Sequence, residues 1–359
     1  MKLVTGGLCA LLFALTTPGQ ARTSASSCES LVIISTPERF DYLRSNSAGR
    51  NFRSAWHRSY RAAIQPTAGF LSCGSDAHSL VQNPVSVVPP AKLALLNLAV
   101  LAACDAIDGV TDGLLTDPRQ CRFDPATLLC RGAERNDCLI PRQLESLKIG
   151  YAPARRTTGE LIFPGLVPGG ETGWDMLTAA NPEPGSIDVG MFRFLAHEDP
   201  SWDWRTFDLD RDTTLIDEKA GFIDAVNADP SAFRAHGGKL LLYHGWNDGG
   251  SGGAISPLNT IDYYESVLAK IGPGQQDWLR LFMVLGMAHC GGGPGPNQVN
   301  WMAAVERWRE AGIAPDRLIA SRVTENHVNM TRPICPYPAV PKYDGVGSTN
   351  DAANFACKH

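Results

Sequence analysis

The sequence has no stripe or run of Lys and Arg, and its 32 basic residues are outnumbered by 37 acidic ones, for a formal net charge of -5. That balance argues against nucleic acid or an anionic membrane surface as the partner and leaves small molecules as the expected ligands. It also has no internal repeat and no long low-complexity tract, which removes solenoids, propellers and disordered tails. The first apolar run, over residues 8–15, is too short to span a membrane. With Lys2 before it and Gly19-Gln20-Ala21 after it, that run reads as a secretory signal over residues 1–21, and the protein as secreted or periplasmic.

Of the ten cysteines, Cys9 falls in the signal, which leaves nine. An odd number in an oxidising compartment implies one unpaired thiol. Hydrophobic residues make up 44% of the chain, ample for a sizeable core, and 35 Gly and 25 Pro imply many ordered loops.

Three regions follow the signal. Residues 22–84 are polar and rich in Ser and Arg; Ser30-Leu31-Val32-Ile33-Ile34-Ser35 reads as a strand and 56–64 as a helix. Residues 85–225 open on a helix at Pro89-Pro90, with Leu93, Leu96, Val100 and Leu101 on one face, and continue into a cysteine-rich, loop-rich segment. Residues 226–359 alternate strand and helix. Lys239-Leu240-Leu241-Leu242-Tyr243-His244-Gly245 and the run 279–285 read as strands; Ile261, Tyr264 and Leu268, then Trp301, Ala304, Val305 and Trp308, recur at helical spacing. Such β-α-β-α order is the unit of an α/β fold with a parallel sheet.

In parallel sheets, reactive side chains sit just past the carboxyl ends of strands. Asp248 follows the first strand and His289 the second. Asp then His is the order in which an α/β hydrolase carries the last two members of a Ser…Asp…His triad. Asn247-Asp248-Gly249-Gly250 is equally a good turn sequence, and a metal-dependent alternative would draw on Asp248, His244 and His289.

Tyr243-His244-Gly245-Trp246-Asn247-Asp248 and Gly286-Met287-Ala288-His289-Cys290-Gly291-Gly292-Gly293-Pro294-Gly295 resemble the acid and histidine motifs of the tannase and feruloyl esterase family, which includes the mono(2-hydroxyethyl) terephthalate hydrolases. Pro89-Pro90-Ala91-Lys92-Leu93, Cys104-Asp105-Ala106-Ile107-Asp108-Gly109, Gly312-Ile313-Ala314-Pro315-Asp316 and Arg332-Pro333-Ile334-Cys335-Pro336-Tyr337-Pro338 resemble it too, over about residue 83 to the end. The resemblance implies an α/β-hydrolase sheet with a large, cysteine-rich, calcium-binding lid, and hydrolysis of esters of aromatic acids. Asp248 and His289 would be the acid and the base.

The family's serine lies in Gly-Cys-Ser-x-Gly-Gly, and no Cys-Ser dipeptide occurs here. Gly249-Gly250-Ser251-Gly252-Gly253 fits Gly-x-Ser-x-Gly only inside the acid loop, and Ser75 is displaced from Cys73 by one residue. About 60 residues before Pro90 also leave little room for strands with crossovers of a dozen or more residues. The expectation is therefore a sheet with its amino-terminal half truncated and an esterase impaired in its nucleophile; the alternative is a non-catalytic, secreted calcium-binding remnant.

The Asp105-Ala106-Ile107-Asp108-Gly109-Val110-Thr111-Asp112-Gly113-Leu114 segment packs carboxylates into a glycine loop, which suits either calcium or a set of Asx turns. The resemblance implies structural Ca²⁺, with carboxylates from Asp105, Asp108 and Asp112 and carbonyls from Val110 and Leu114. It also implies the pairs Cys104 with Cys121, Cys130 with Cys138, and Cys335 with Cys357. Cys28 with Cys73, or Cys73 with Cys290, stays open.

Overall fold

The computed structural model describes residues 32–35, 88–174, 186–221, 226–249, 255–289 and 291–359. Helix 56–64, Ser75, Ser251, Cys28, Cys73 and Cys290 lie outside the described residues.

A three-stranded sheet runs in the order β1 (Val32–Ser35), β4 (Lys239–Gly245), β5 (Leu279–Val284). Strands β4 and β5 are parallel, with Leu240 opposite Leu279 and Gly245 opposite Val284. The expectation of a parallel sheet holds for this pair, whereas β1 pairs antiparallel to β4, Val32 opposite Leu242.

Both faces of the pair are covered, which is why residues 240–243 and 281–284 read as continuous apolar runs rather than alternating ones. Leu240, Leu242, Leu279 and Leu281 pack with Ile261, Tyr264 and Val267. Leu241, Tyr243, Phe282 and Val284 point the other way, onto Trp301, Val305 and Trp308. The first set of helical residues lies on Pro257–Ile271 and the second on Trp301–Ala311. Pro257 follows an Ser256 N-cap whose side chain accepts the Leu258 N–H; Asn300 caps the later helix through the Ala303 N–H, and Gly312 ends it at φ 68°. Burying one such large apolar side chain contributes about 1.5–3 kcal/mol, so the two helices fix the strand tips firmly.

The described residues from 88 to 221 have cores of their own. Helix α1 (Pro90–Cys104) buries Leu93, Leu96 and Val100 against Leu139, Leu147, Phe163 and Trp174, while Leu101 is partly buried. With the turn after it, this helix is long and apolar enough by composition to cross a bilayer, yet this face is packed on protein. Helix α2 (Pro141–Tyr151) and a hairpin of β2 (Ala154–Arg155) and β3 (Leu161–Phe163) complete that core. A second core gathers Phe192, Trp202 and Trp204 against Ile216 of α3 (Leu209–Ala220). Trp174, Trp202 and Trp204 are thus all buried in these cores.

Beyond the helix at 301–311, β6 (Leu318–Thr324) and β7 (His327–Ile334) form a hairpin, and β8 (Val340–Tyr343) pairs with β9 (Phe355–Lys358). Cys104–Cys121, Cys130–Cys138 and Cys335–Cys357 are bonded, all three pairings that the resemblance implies.

Candidate catalytic site

The tips of β4 and β5 carry the site. Past β4 the chain turns at once: the Asp248 N–H donates to the Gly245 carbonyl at 3.2 Å, the Trp246 N–H to Val284 at 2.9 Å and the Asn247 N–H to Met287 at 2.9 Å. These bonds clip the acid loop to the loop that leaves β5. Gly245 is required for that approach, since a Cβ there would lie 2.2 Å from the Met287 carbonyl oxygen and 2.8 Å from that of Ala288.

The clip brings Asp248 and His289 together. His289 Nδ1 lies 3.0 Å from Asp248 Oδ2, with the acid side chain 3% and the histidine 18% exposed. Asp248 takes a second imidazole on the same oxygen: His244 Nε2 is 3.1 Å away, and His244 Nδ1 is 2.7 Å from Thr260 Oγ1. Burial alone would raise the Asp248 carboxyl, but the hydrogen bonds from His244 and His289 outweigh it and hold the group below the usual carboxylate range. The acid is therefore ionised where an imidazole beside it can change its charge.

Both nitrogens of His244 are engaged, by Asp248 and by Thr260, which suits a hydrogen-bond partner better than a metal ligand. Among the described residues no three His, Cys, Asp or Glu side chains gather as a metal-binding group. Sequence reasoning gave His244 only the metal role and missed Thr260; the four-residue step from His244 to Asp248 was the available signal for the first.

The segment at residues 169–174 also reaches the Asp248 loop. Asn247 Nδ2 donates to the Gly169 carbonyl at 2.6 Å, and a Cβ on Gly249 would lie 2.5 Å from Trp174 Cδ1. Glu171 stands behind this contact, fully buried, accepting from Tyr151 Oη at 2.7 Å, the Gly169 N–H at 2.8 Å and Asn97 Nδ2 at 2.7 Å.

In the aspartate loop, α1 passes into a turn of 3-10 helix, Asp105–Asp108, closed by Gly109 at φ 93°. Asp105 accepts from the N–H groups of Asp112 (3.3 Å) and Gly113 (2.9 Å), and Asp108 from the Val110 N–H (2.9 Å) and Thr116 Oγ1 (2.5 Å). Asp112 accepts from the Leu114 N–H at 3.2 Å and pairs with Arg332. The Asx-turn geometry is thus present, with carboxylates turned onto the loop's own backbone. Burial first, then the charges of Asp108 and Asp105, push the Asp112 carboxyl up against the opposing pull of Arg332. Asp112 is thus paired with Arg332 while Asp105 and Asp108 are bonded to backbone N–H groups and Thr116, so, among the described residues, the loop sets hard carboxylate oxygens near one another without gathering three of them into a metal-binding group.

Comparison with known proteins agrees with these features. The family model described as tannase and feruloyl esterase matches residues 70–358. An uncharacterized esterase of Xanthomonas campestris pv. campestris is 36% identical over 77% of this chain and 56% of its own length. The mono(2-hydroxyethyl) terephthalate hydrolase of Piscinibacter sakaiensis is 34% identical over 74% and 51%. The crystal structure of an esterase from Aspergillus oryzae superposes with a TM-score of 0.74 at 28% identity, over 84% of this chain and 62% of that one. The chain spans about half the length of the curated relatives it matches. With its family model covering most of the sequence, the chain belongs to the tannase and feruloyl esterase family.

Proposed function

We propose that this chain carries the acid and base of a secreted carboxylic ester hydrolase acting on esters of aromatic acids. The observation that carries the reading is the 3.0 Å contact between His289 Nδ1 and Asp248 Oδ2 at neighbouring strand tips, in a chain of this family. With its Nδ1–H donated to Asp248, His289 is held as the tautomer whose basic lone pair is on Nε2, able to take a proton from a serine hydroxyl and return it to the leaving alcohol. The acyl group would pass to the serine oxygen and then to water. Relatives named for terephthalate and feruloyl esters support aromatic acyl groups as the substrate class.

No Cys-Ser dipeptide is present in the 359 residues, so the reading includes impaired turnover by this chain on its own. The same observation favours a second reading, a non-catalytic calcium-binding protein. Calcium in either case would be held by the carboxylates of Asp105, Asp108 and Asp112 and the carbonyls of Val110 and Leu114, and would brace the lid next to the Cys104–Cys121 disulfide.

A panel of feruloyl, galloyl, terephthaloyl and nitrophenyl esters, assayed with and without a serine-reactive phosphonate, tests the function. Weak turnover that is lost on stoichiometric labelling of one serine, and lost in D248N and H289A, supports the esterase. Silence in both turnover and labelling supports the second reading.

A further inference from the structure

Besides Asp248 and His289, the site holds one more buried imidazole to which the Ser-His-Asp scheme gives no task. His244 is 2% exposed and ends β4; its Nε2 is 3.1 Å from Asp248 Oδ2 and its Nδ1 is 2.7 Å from Thr260 Oγ1 in the first turns of the helix at 257–271. The same Oδ2 is 3.0 Å from His289 Nδ1. One carboxylate oxygen therefore lies between two imidazoles that arrive from different strand ends, and the second imidazole is anchored by a hydroxyl on a third element.

We propose that His244 is a positioning residue for the acid of this site: held by Thr260 as the Nε2–H tautomer, it fixes the orientation of Asp248 Oδ2 toward His289. The proposal rests on the acid and base roles given above to Asp248 and His289. The Thr260 hydroxyl donates to Nδ1, which leaves the ring's one proton on Nε2, where it donates to Asp248. A rotation of the carboxylate that released His289 would have to break the bond to His244 as well. The titratable groups acting on Asp248 are His244, at the end of β4, and His289, past β5; the helix at 257–271 contributes the neutral Thr260. When His289 takes a proton, it does so beside an oxygen that is already held in place.

The test is magnetic resonance on the full chain labelled in histidine nitrogen and aspartate carboxyl carbon, which reads the site whether or not the chain turns over ester. In the native protein, His244 is expected with its proton on Nε2 and an acceptor-type Nδ1. The opposite tautomer overturns the proposal without any mutation. H244L is expected to raise the Asp248 midpoint by about one pH unit and to broaden the His289 Nδ1–H signal through faster exchange, as loss of a charge-assisted hydrogen bond implies. H244Q, whose amide nitrogen can occupy the place of Nε2, is expected to restore both readings. If H244L does not fold, H244N, too short to reach Asp248, takes its place. Native-like Asp248 titration in H244L or H244N overturns the proposal. A native tautomer pattern with no serine labelled would count against the esterase reading while leaving the role of His244 intact.

Discussion

Replacing Gly245 with alanine probes the joint on which the site depends. The added Cβ would stand 2.2 Å from the Met287 carbonyl oxygen, with the Ala288 oxygen 2.8 Å away, and both obstacles are backbone. No rotamer change relieves such a clash, so the end of β4 and the loop beyond β5 have to part by roughly 1 Å. The same movement loosens the Asn247 N–H bond to Met287 and opens the 3.0 Å contact between Asp248 and His289 past hydrogen-bonding range. Overpacking of this kind costs about 1–3 kcal/mol and the lost backbone bond about 0.5–1.5 kcal/mol, which together give about 1.5–4.5 kcal/mol. Urea unfolding followed by tryptophan fluorescence measures the stability, and the His289 Nδ1–H resonance reports the contact. Gly291, where a Cβ would meet nothing within 4 Å, is the control in the same loop. If G245A lost less than about 0.5 kcal/mol and kept that resonance, the claim that backbone crowding sets the acid–base distance would be wrong.

Three further outcomes are expected. E171A strips the acceptor from Tyr151, Asn97 and the Gly169 N–H, and should destabilise the lid by about 3 kcal/mol or more in denaturant titration; an isostable E171A would contradict the buried network. Because Asp248 is held below the usual carboxylate range, its contribution to stability is present above the unfolded carboxylate pKa of about 3.9 and disappears as pH falls through the lower folded value, so the stability difference between native protein and D248N should shrink in that acid window. Calcium at 100 times its dissociation constant should stabilise the chain by about 2.7 kcal/mol, chelator should reverse this, and D108A should abolish it, as read by calorimetry and thermal unfolding; equal midpoints with calcium and chelator would remove the metal from the lid.

Several elements are legible in the sequence for a definite reason. The residues 240–243 alternate between the two helical layers, so every position is apolar, and the short run closed by Gly245 reads as a strand buried on both faces. The two covering helices announce themselves through Ile261 and Tyr264 and through Trp301, Val305 and Trp308. The strand at Val32–Ser35 is equally visible as an apolar run, but its antiparallel direction is a property of its pairing with β4 and is written in neither segment alone. The hairpin of β6 and β7 is harder: it turns on Glu325 and Asn326 in left-handed conformation, at φ 51° and 64°, without the Asn-Gly or Asp-Gly pair that usually marks such a turn. At the site, Asp248 and His289 follow strands and can be located by counting, whereas Thr260 sits on a helix face and gains its meaning only when that helix packs across β4.

The bond from Asn247 to the Gly169 carbonyl, with Trp174 lying over Gly249, makes the loop that carries the acid the joint property of two layers. If residues 169–174 swung away as one rigid piece they would drag Asp248 out of line with His289. Anyone exchanging this segment with that of a relative would need to transplant residues 169–174 together with Asn247, or the graft would arrive with Asp248 and His289 out of register.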